Sequence, residues 1–414
     1  MELLRVATAG SVDDGKSTLI GRLLYETKTL FEDQMQAVER TSRARGDEYT
    51  DLALLTDGLR AEREQGITID VAYRYLATPR RKFILADTPG HVQYTRNMVT
   101  GASTADVALV LVDVRAGVLE QSRRHAVLAS MLRVPHLVLC VNKMDLVDYD
   151  QEAFLRVWDD FRSFAAKLDI GDLTAVPVSA LQGDNVCVRS GNMTWYEGGS
   201  LLNHLEELHI ASDRNLIDVR FPVQFVVRPK SAAHPDYRGY AGQVASGVLR
   251  VGDEVTVLPA GLTTTIEALD LGERSLKEAY PPMSVTVRLG DDLDISRGDM
   301  ICRPANRPAI VQDLDALVVW MAQGSQLRPG ARLAIKHTTR TVRSVVTSVR
   351  YRIGVNDLHR DESAESLGLN EIGRVSFRAT QPLFVDEYRR NRTTGSFILI
   401  DEDTGATVGA GLIH

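Results

Sequence analysis

Gly10-Ser11-Val12-Asp13-Asp14-Gly15-Lys16-Ser17 decides how the rest of the chain is read. An apolar run, Leu3 to Ala9, leads into it, and Thr18 to Tyr25, with apolar residues at helical spacing, leads out. The glycines therefore sit between a strand and a helix, which is the setting of a phosphate cradle. Such a loop turns successive backbone N–H groups inward onto an anion, and the helix N-terminus adds partial positive charge. Lys16 is spaced to reach the terminal phosphates of a nucleotide. The Ser17 hydroxyl, with Thr18 beside it at the end of the contact stretch, is spaced to ligate magnesium.

Three more motifs follow apolar runs of strand length. Asp87-Thr88-Pro89-Gly90 comes after Phe83 to Ala86. A carboxylate there can hold a magnesium-bound water, and the Gly90 N–H can approach a γ-phosphate closely enough to sense it. Alone, the tetrapeptide is also a good turn. Asn142-Lys143-Met144-Asp145 comes after Leu137 to Val141. Asp145 can accept from the N1–H and exocyclic amine of guanine. Adenine offers neither donor, so a site built for that pair rejects ATP by leaving a buried carboxylate unpaired. Asn142 and Lys143 would tie this loop to the phosphate loop and cover the base. By itself the motif reads as a strand-end turn with a solvated Lys-Asp pair. Ser179-Ala180-Leu181, after a run ending at Val178, is placed to offer backbone N–H to the guanine carbonyl oxygen.

Up to about residue 210, β-type runs alternate with amphipathic stretches. Candidate strands are Leu3 to Ala9, Ile67 to Leu76, Phe83 to Ala86, Val107 to Val112, Leu137 to Val141 and Ala175 to Val178. The clearest helical stripe is Phe154, Val157, Trp158, Phe161, Phe164, Ala165 and Leu168, which reads as core packing. Strands alternating with helices imply a mostly parallel sheet that binds ligands at its carboxyl edge. From Leu216 the texture turns to alternating Val, Thr and Arg punctuated by Gly and Pro, which predicts antiparallel strands in two small barrels. A Pro- and Arg-rich border near Cys302 to Pro308 separates them. The expected fold is an α/β phosphate-binding-loop GTPase domain, 1–212, followed by two antiparallel β-barrel domains, 213–307 and 308–414.

Composition bounds the setting. A chain of 414 residues, 44% hydrophobic and 25% charged, matches a globular protein of about three domains. No apolar run approaches the roughly 18 residues of a membrane span, and Arg5 interrupts the N-terminal run where a signal peptide would need continuity. Three widely spaced cysteines, Cys140, Cys187 and Cys302, argue against a disulfide framework or zinc cluster and fit a reducing cytoplasm. A net charge of -7 disfavours a broad nucleic-acid-binding surface. Arg40 to Glu48 could contact a partner but reads first as a solvated helix end, and Arg389 to Arg392 could bind an acidic surface or RNA but reads at least as readily as a solvated barrel loop. Trp195-Tyr196 reads as a loop anchor.

The four strand-end elements, in this order, resemble the phosphate-binding-loop GTPases. Arg63-Glu64-Gln65-Gly66-Ile67-Thr68 and Asp87-Thr88-Pro89-Gly90-His91 resemble the translation-factor class, the elongation factor Tu group. By that resemblance Thr68 lies in a first switch and ligates magnesium beside Ser17 and Asp87, while His91 in a second switch positions the attacking water. Val12 and Ile67 match the apolar pair that gates this histidine, and Asp13 an aspartate that helps hold a monovalent cation. The implied catalytic set is Lys16, Thr68, Gly90 and His91. The runs Ser11 to Leu24 and Asp57 to Tyr75 narrow the resemblance to the GTPase subunits of bacterial sulfate adenylyltransferase, with Asp14 standing where translation factors usually carry His. Further matches at 93–98, 220–224, 238–242, 295–299 and 408–411 extend it end to end.

That resemblance implies GTP and Mg2+ as ligands, and a catalytic adenylyltransferase subunit as partner. The partner would make adenosine 5'-phosphosulfate from ATP and sulfate, an uphill exchange that GTP hydrolysis would pull forward. An adenylylsulfate kinase is expected as a separate chain, because no second phosphate-loop motif occurs before His414. The alternative is an elongation-factor-like GTPase that binds aminoacyl-tRNA and the ribosome. Asp14, the Asp57 to Tyr75 run and the negative charge weigh against it.

Overall fold

A computed structural model describes residues 3–29, 52, 70–89, 95–210, 214–229 and 237–414. The chain divides into two compact units, Met1–Ile210 with Val355–Asp357, and Ala211–Gly354 with Leu358–His414. In the first, strands β1 (Leu3–Gly10), β2 (Ala72–Ala77), β3 (Lys82–Asp87), β4 (Val107–Asp113), β5 (His136–Asn142) and β6 (Asp172–Pro177) form one sheet in the order 2-3-1-4-5-6. Helices α1 (Lys16–Glu26), α2 (Thr95–Ala102), α3 (Glu120–Met131), α4 (Gln151–Ala165) and α5 (Leu201–Glu207) alternate with them. All pairings are parallel except β2 with β3. That hairpin has a local cause. Pro79 sits inside a turn in which the Thr78 N–H donates to the Arg81 carbonyl at 2.9 Å, and the Thr78 hydroxyl accepts from both Arg80 and Arg81 N–H. The strand expected over Ile67 to Leu76 therefore runs later, Ala72–Ala77, and its first expected residues lie outside the described ones.

Burial sets the sheet's register. Every residue of β4 is buried, as a parallel strand covered on both faces requires. On α4, Phe154, Val157, Phe161 and Phe164 form the expected stripe against the core, while Trp158 is half-buried. Asp150 starts this helix by accepting from the Glu152 and Ala153 N–H groups. Because β1, β3, β4, β5 and β6 run the same way, the loops leaving them gather along one carboxyl edge. The chain order reverses at β1, between β3 and β4, so the crevice for a ligand opens at the end of β1.

The second unit is antiparallel, with two large sheets and a two-stranded one, Leu249–Arg250 with Glu278–Ala279, among the described residues. In the first, Arg220–Pro222, Met300–Cys302, Glu254–Leu258, Leu262–Leu271, Ser284–Leu289, Gly239–Gln243 and Phe225–Val227 lie side by side, and a lone Arg220–Ser246 bridge draws the first strand back toward the far side. The run Phe221 to Val227 is thus two short strands. Val223 donates to the Asp299 carbonyl and Gln224 to the Ala241 carbonyl, so the chain changes neighbours there. The second sheet closes fully: Arg332–His337, Ser396–Ile400, Thr407–Ile413, Ala309–Trp320, Ile372–Val385 and Arg340–Ile353, which pairs back with Arg332–His337. The fold is an α/β phosphate-binding-loop domain followed by antiparallel barrel domains, the first drawn together by the Arg220–Ser246 bridge and by the passage of the chain from Arg220–Pro222 to Phe225–Val227, which pairs with Gly239–Gln243.

A buried ion pair links the two sheets. Arg220 grips Asp386 through Nε (2.8 Å) and a terminal nitrogen (2.9 Å), and the Thr394 hydroxyl donates to the same carboxylate. Arg390, one of the residues in the Arg389 to Arg392 stretch, holds Asp218 by two bonds of 2.7 and 2.8 Å. Among the described residues no helix is long and apolar enough to cross a membrane.

Candidate functional site

The loop between β1 and α1 is built around two inward side chains. Lys16 is 7% exposed, and its ammonium donates to the carbonyls of Gly10 (3.0 Å) and Ser11 (2.7 Å). Burial pushes its pKa down, and the carboxylates of Asp87, Asp14 and Asp13 oppose that. A buried cation of this kind gains from any further anion brought to it. Asp14 also turns inward: its carboxylate accepts from the Ser11 N–H at 2.5 Å and lies 3.4 Å from the Asp113 N–H. Burial raises the Asp14 pKa, with Ser11, Lys16, Asp113 and Lys143 working against the shift.

Gly15, left-handed at φ 89°, caps α1 with no side-chain bond to the helix, so the first-turn N–H groups are not consumed by a cap. A Cβ at Gly15 would stand 2.4 Å from the Asn142 amide nitrogen, so only glycine lets the two loops approach. Val12 and Asp13 are exposed at the loop tip, Asp13 with φ 67°, and Thr18 is half-buried on α1. Two hydroxyls remain available: Ser11 Oγ is buried with no partner, and Ser17 Oγ makes no hydrogen bond among the described residues.

At the end of β3, Asp87 is 1% exposed and accepts from the Thr8 hydroxyl at 3.2 Å. Thr88 donates to the Thr8 carbonyl, which fixes the exit of the loop, and Pro89 is buried behind it. Gly90, His91, Ile67 and Thr68, together with Arg40 to Glu48, lie outside the described residues. Among the described residues no group of three or more His, Cys, Asp or Glu could hold a metal by itself. What the loop does provide, the free Ser17 hydroxyl and the buried Asp87 carboxylate, fits an oxygen-seeking ion that takes its remaining ligands from phosphate and water.

At the end of β5, the Asn142 amide donates to the Asp14 carbonyl at 2.7 Å, and its oxygen accepts from the Ala180 N–H at 2.9 Å. One buried side chain thus ties phosphate loop, base loop and Ser179–Leu181 turn together. Ala180 spends its N–H on this bond, which leaves the Leu181 N–H as the backbone donor of that turn. Lys143, at φ 65°, opens a short 3-10 turn, Met144–Val147, and Met144 is buried beneath it. The Asp145 carboxylate, half-buried, accepts no hydrogen bond among the described residues. Arg22 of α1 braces the facing loop by donating to the Ala180 carbonyl at 3.1 Å and to Leu181. Trp195 donates to the Tyr149 carbonyl and packs on Phe154 at 5.4 Å, anchoring the loop after β6.

Two participants carry no motif. Asp113, at the end of β4, receives the Lys143 ammonium at 3.0 Å and two bonds from the Arg115 guanidinium. A polar residue closing the apolar run Val107 to Val112, level with Asn142 on the neighbouring strand, is the signal that could have found it. Arg22 could have been found only from contact, since a lone arginine on a helix has no pattern.

A family model described as "Elongation factor Tu GTP binding domain" matches residues 1–220, and one described as "GTP-eEF1A C-terminal domain-like" matches residues 313–414. Fold and strand-edge loops therefore belong to a translation-factor-type GTP-binding protein. The chain is 64% identical over 411 residues to the "Bifunctional enzyme CysN/CysC" of Mycobacterium tuberculosis, which covers 99% of this chain and 67% of that protein. It is 51% identical over 414 residues to "Sulfate adenylyltransferase subunit 1" of Bacteroides fragilis, covering 100% of this chain and 86% of that one. It is 50% identical to the same-named protein of Alteromonas mediterranea, covering 100% and 87%. The chain belongs to the sulfate adenylyltransferase subunit 1 family, an enzyme subunit built on a GTPase domain. It spans about two thirds of the length of the bifunctional relatives.

Proposed function

We propose that this chain binds and hydrolyses GTP at the carboxyl edge of its first sheet, and that hydrolysis drives adenylyl transfer from ATP to sulfate on a separate catalytic subunit. The observation that carries this reading is the pair of groups on one edge: a buried Lys16 ammonium held by loop carbonyls at the phosphate loop, and an Asp145 carboxylate without a hydrogen bond among the described residues at the base loop, with Asn142 joining the two loops. The first suits polyphosphate, the second the N1–H and amine of guanine.

In that reading Lys16 and the N–H groups of Gly10 to Thr18 hold the phosphates, and Leu181 N–H meets the guanine oxygen. Ser17, Thr68 and, through water, Asp87 would hold Mg2+, which when bound neutralises charge on the β- and γ-phosphates. His91 orients the attacking water, Gly90 senses the γ-phosphate, and Thr88 and Pro89 fix the loop that carries them. Residues 213–307 and 308–414 serve as separate β domains in the soluble, cytoplasmic complex.

The test is GTP turnover by the full chain, alone and with the adenylyltransferase subunit, ATP and sulfate. Stimulation by that subunit is expected. Stimulation by ribosomes instead would favour a translation role.

A further inference from the structure

Lys143 raises a question that its motif does not answer: what holds a long, flexible cation in one place before any base arrives. The Asp113 carboxylate, 7% exposed, is saturated by four donors. Oδ1 accepts from the Arg115 backbone N–H (2.9 Å) and Nε (3.1 Å); Oδ2 accepts from an Arg115 terminal nitrogen (2.7 Å) and the Lys143 ammonium (3.0 Å). Around it, the Asp113 N–H faces the Asp14 carboxylate of the phosphate loop, and the next residue, Val114, donates to the Asn142 carbonyl at 3.0 Å. The carboxylate is thus fixed to the end of β4 by backbone on both sides. It is a rigid acceptor, aimed at a side chain that otherwise has many rotamers.

We propose that Asp113 is a positioning residue for nucleotide recognition: it clamps the Lys143 ammonium at the end of β4, so that Lys143 is ordered beside the Asp145 carboxylate before the base binds. Arg115 closes the other side of the clamp. Its charge also interacts with that of Asp145, more weakly than with Asp113. Burial acts to raise the Asp113 pKa, but the bonds from Arg115 and Lys143 prevail and hold it at about 2, so the clamp stays charged at all working pH. Ordering a rotamer-rich side chain in advance removes a cost that binding would otherwise bear, which corresponds to roughly a five- to ten-fold gain in affinity. The inference rests on the guanine-site reading above.

The test is a double-mutant cycle on the full chain with magnesium, titrating GTP and ATP into wild type, Asp113→Asn, Lys143→Met and the double variant. Asp113→Asn is expected to weaken GTP about ten-fold in the wild-type background and less than about two-fold beside Lys143→Met, which keeps the stem but has no ammonium to clamp. An equal penalty in both backgrounds overturns the assignment, since a merely structural role of Asp113 does not depend on the Lys143 charge. If Asp113→Asn melts early, Asp113→Glu, which keeps the charge but moves the acceptor, runs the same cycle with the same two outcomes. Wild type that binds GTP no better than ATP removes the guanine-site reading and this inference with it; selectivity with an additive cycle removes only the inference.

Discussion

Asn142 and Asp14 lie 128 positions apart and are joined by a 2.7 Å bond from side-chain amide to main-chain carbonyl, so the loop that reads the base is bonded to the loop that holds the phosphates. Replacing Asn142 by Ala strips a partner from Asp14 and from the Ala180 N–H, both buried. Leaving such groups unpaired costs about 1–3 kcal/mol each. Asn142→Ala should lower GTP affinity by about ten- to a hundred-fold in calorimetric titration. Unchanged affinity would show that the two loops are aligned by something else.

Lys16→Ala removes the only ammonium placed in the phosphate loop. Tight GTP binding should be lost while the melting temperature holds or rises, because a buried cation is costly to a folded chain without its ligand. A variant that still binds GTP as wild type does would refute the cradle.

Asp145→Asn exchanges an acceptor pair for one donor and one acceptor. Preference should move from GTP toward xanthosine triphosphate, whose base carries a carbonyl where guanine carries its amine. Competition binding with the two nucleotides reads this directly, and continued selection of GTP would remove Asp145 from the base site.

His125 makes the stability of the first unit depend on pH. It is wholly buried on α3, bonded through one ring nitrogen to Gln121, and burial, then Lys16 and Arg124, push its pKa down to about 3. The unfolded chain therefore binds this proton more readily than the native one. The contribution is fully present above the ordinary value of 6.5 and is lost as pH falls from there toward 3. His125→Gln cannot titrate, so its loss of stability between pH 7 and pH 5 should be about 2 kcal/mol smaller than wild type's in urea denaturation. Equal losses would place the sensitivity elsewhere.

Arg220 and Asp386 predict a large effect in the second unit. Both side chains are almost fully buried, and Arg220→Met leaves the carboxylate with the Thr394 hydroxyl alone. A buried pair broken at one partner costs about 3–5 kcal/mol. Thermal unfolding should show the loss, and the double variant Arg220→Met with Asp386→Leu should recover part of it.

Phosphate loop, Asp87 turn and base loop were legible because each packs its chemistry into a few consecutive residues after an apolar run. Asp113 was not, since one carboxylate at a strand end acquires meaning only when Lys143 and Arg115 are seen to converge on it. The barrel strands show the same division. Arg332–His337 and Ser284–Leu289 alternate cleanly between buried and outward positions, the pattern from which antiparallel strands can be read. The closing strand, Thr407–Ile413, was hidden by its glycines, which look like turn signals until Gly411 is found against the Phe397 ring, where a Cβ would meet carbon at 2.2 Å. Leu262–Leu271 was missed because three consecutive threonines blur its alternation.

The account rests on one magnesium-dependent guanine nucleotide seated along the edge formed by β1, β3 and β5. The most direct measurement is calorimetric titration of the full chain with non-hydrolysable GTP and ATP analogues in magnesium buffer. One GTP analogue per chain should bind, with the ATP analogue at least about a thousand-fold weaker, as expected when a site's buried polar groups lose their partners. Equal affinities, or no binding of either, would contradict it.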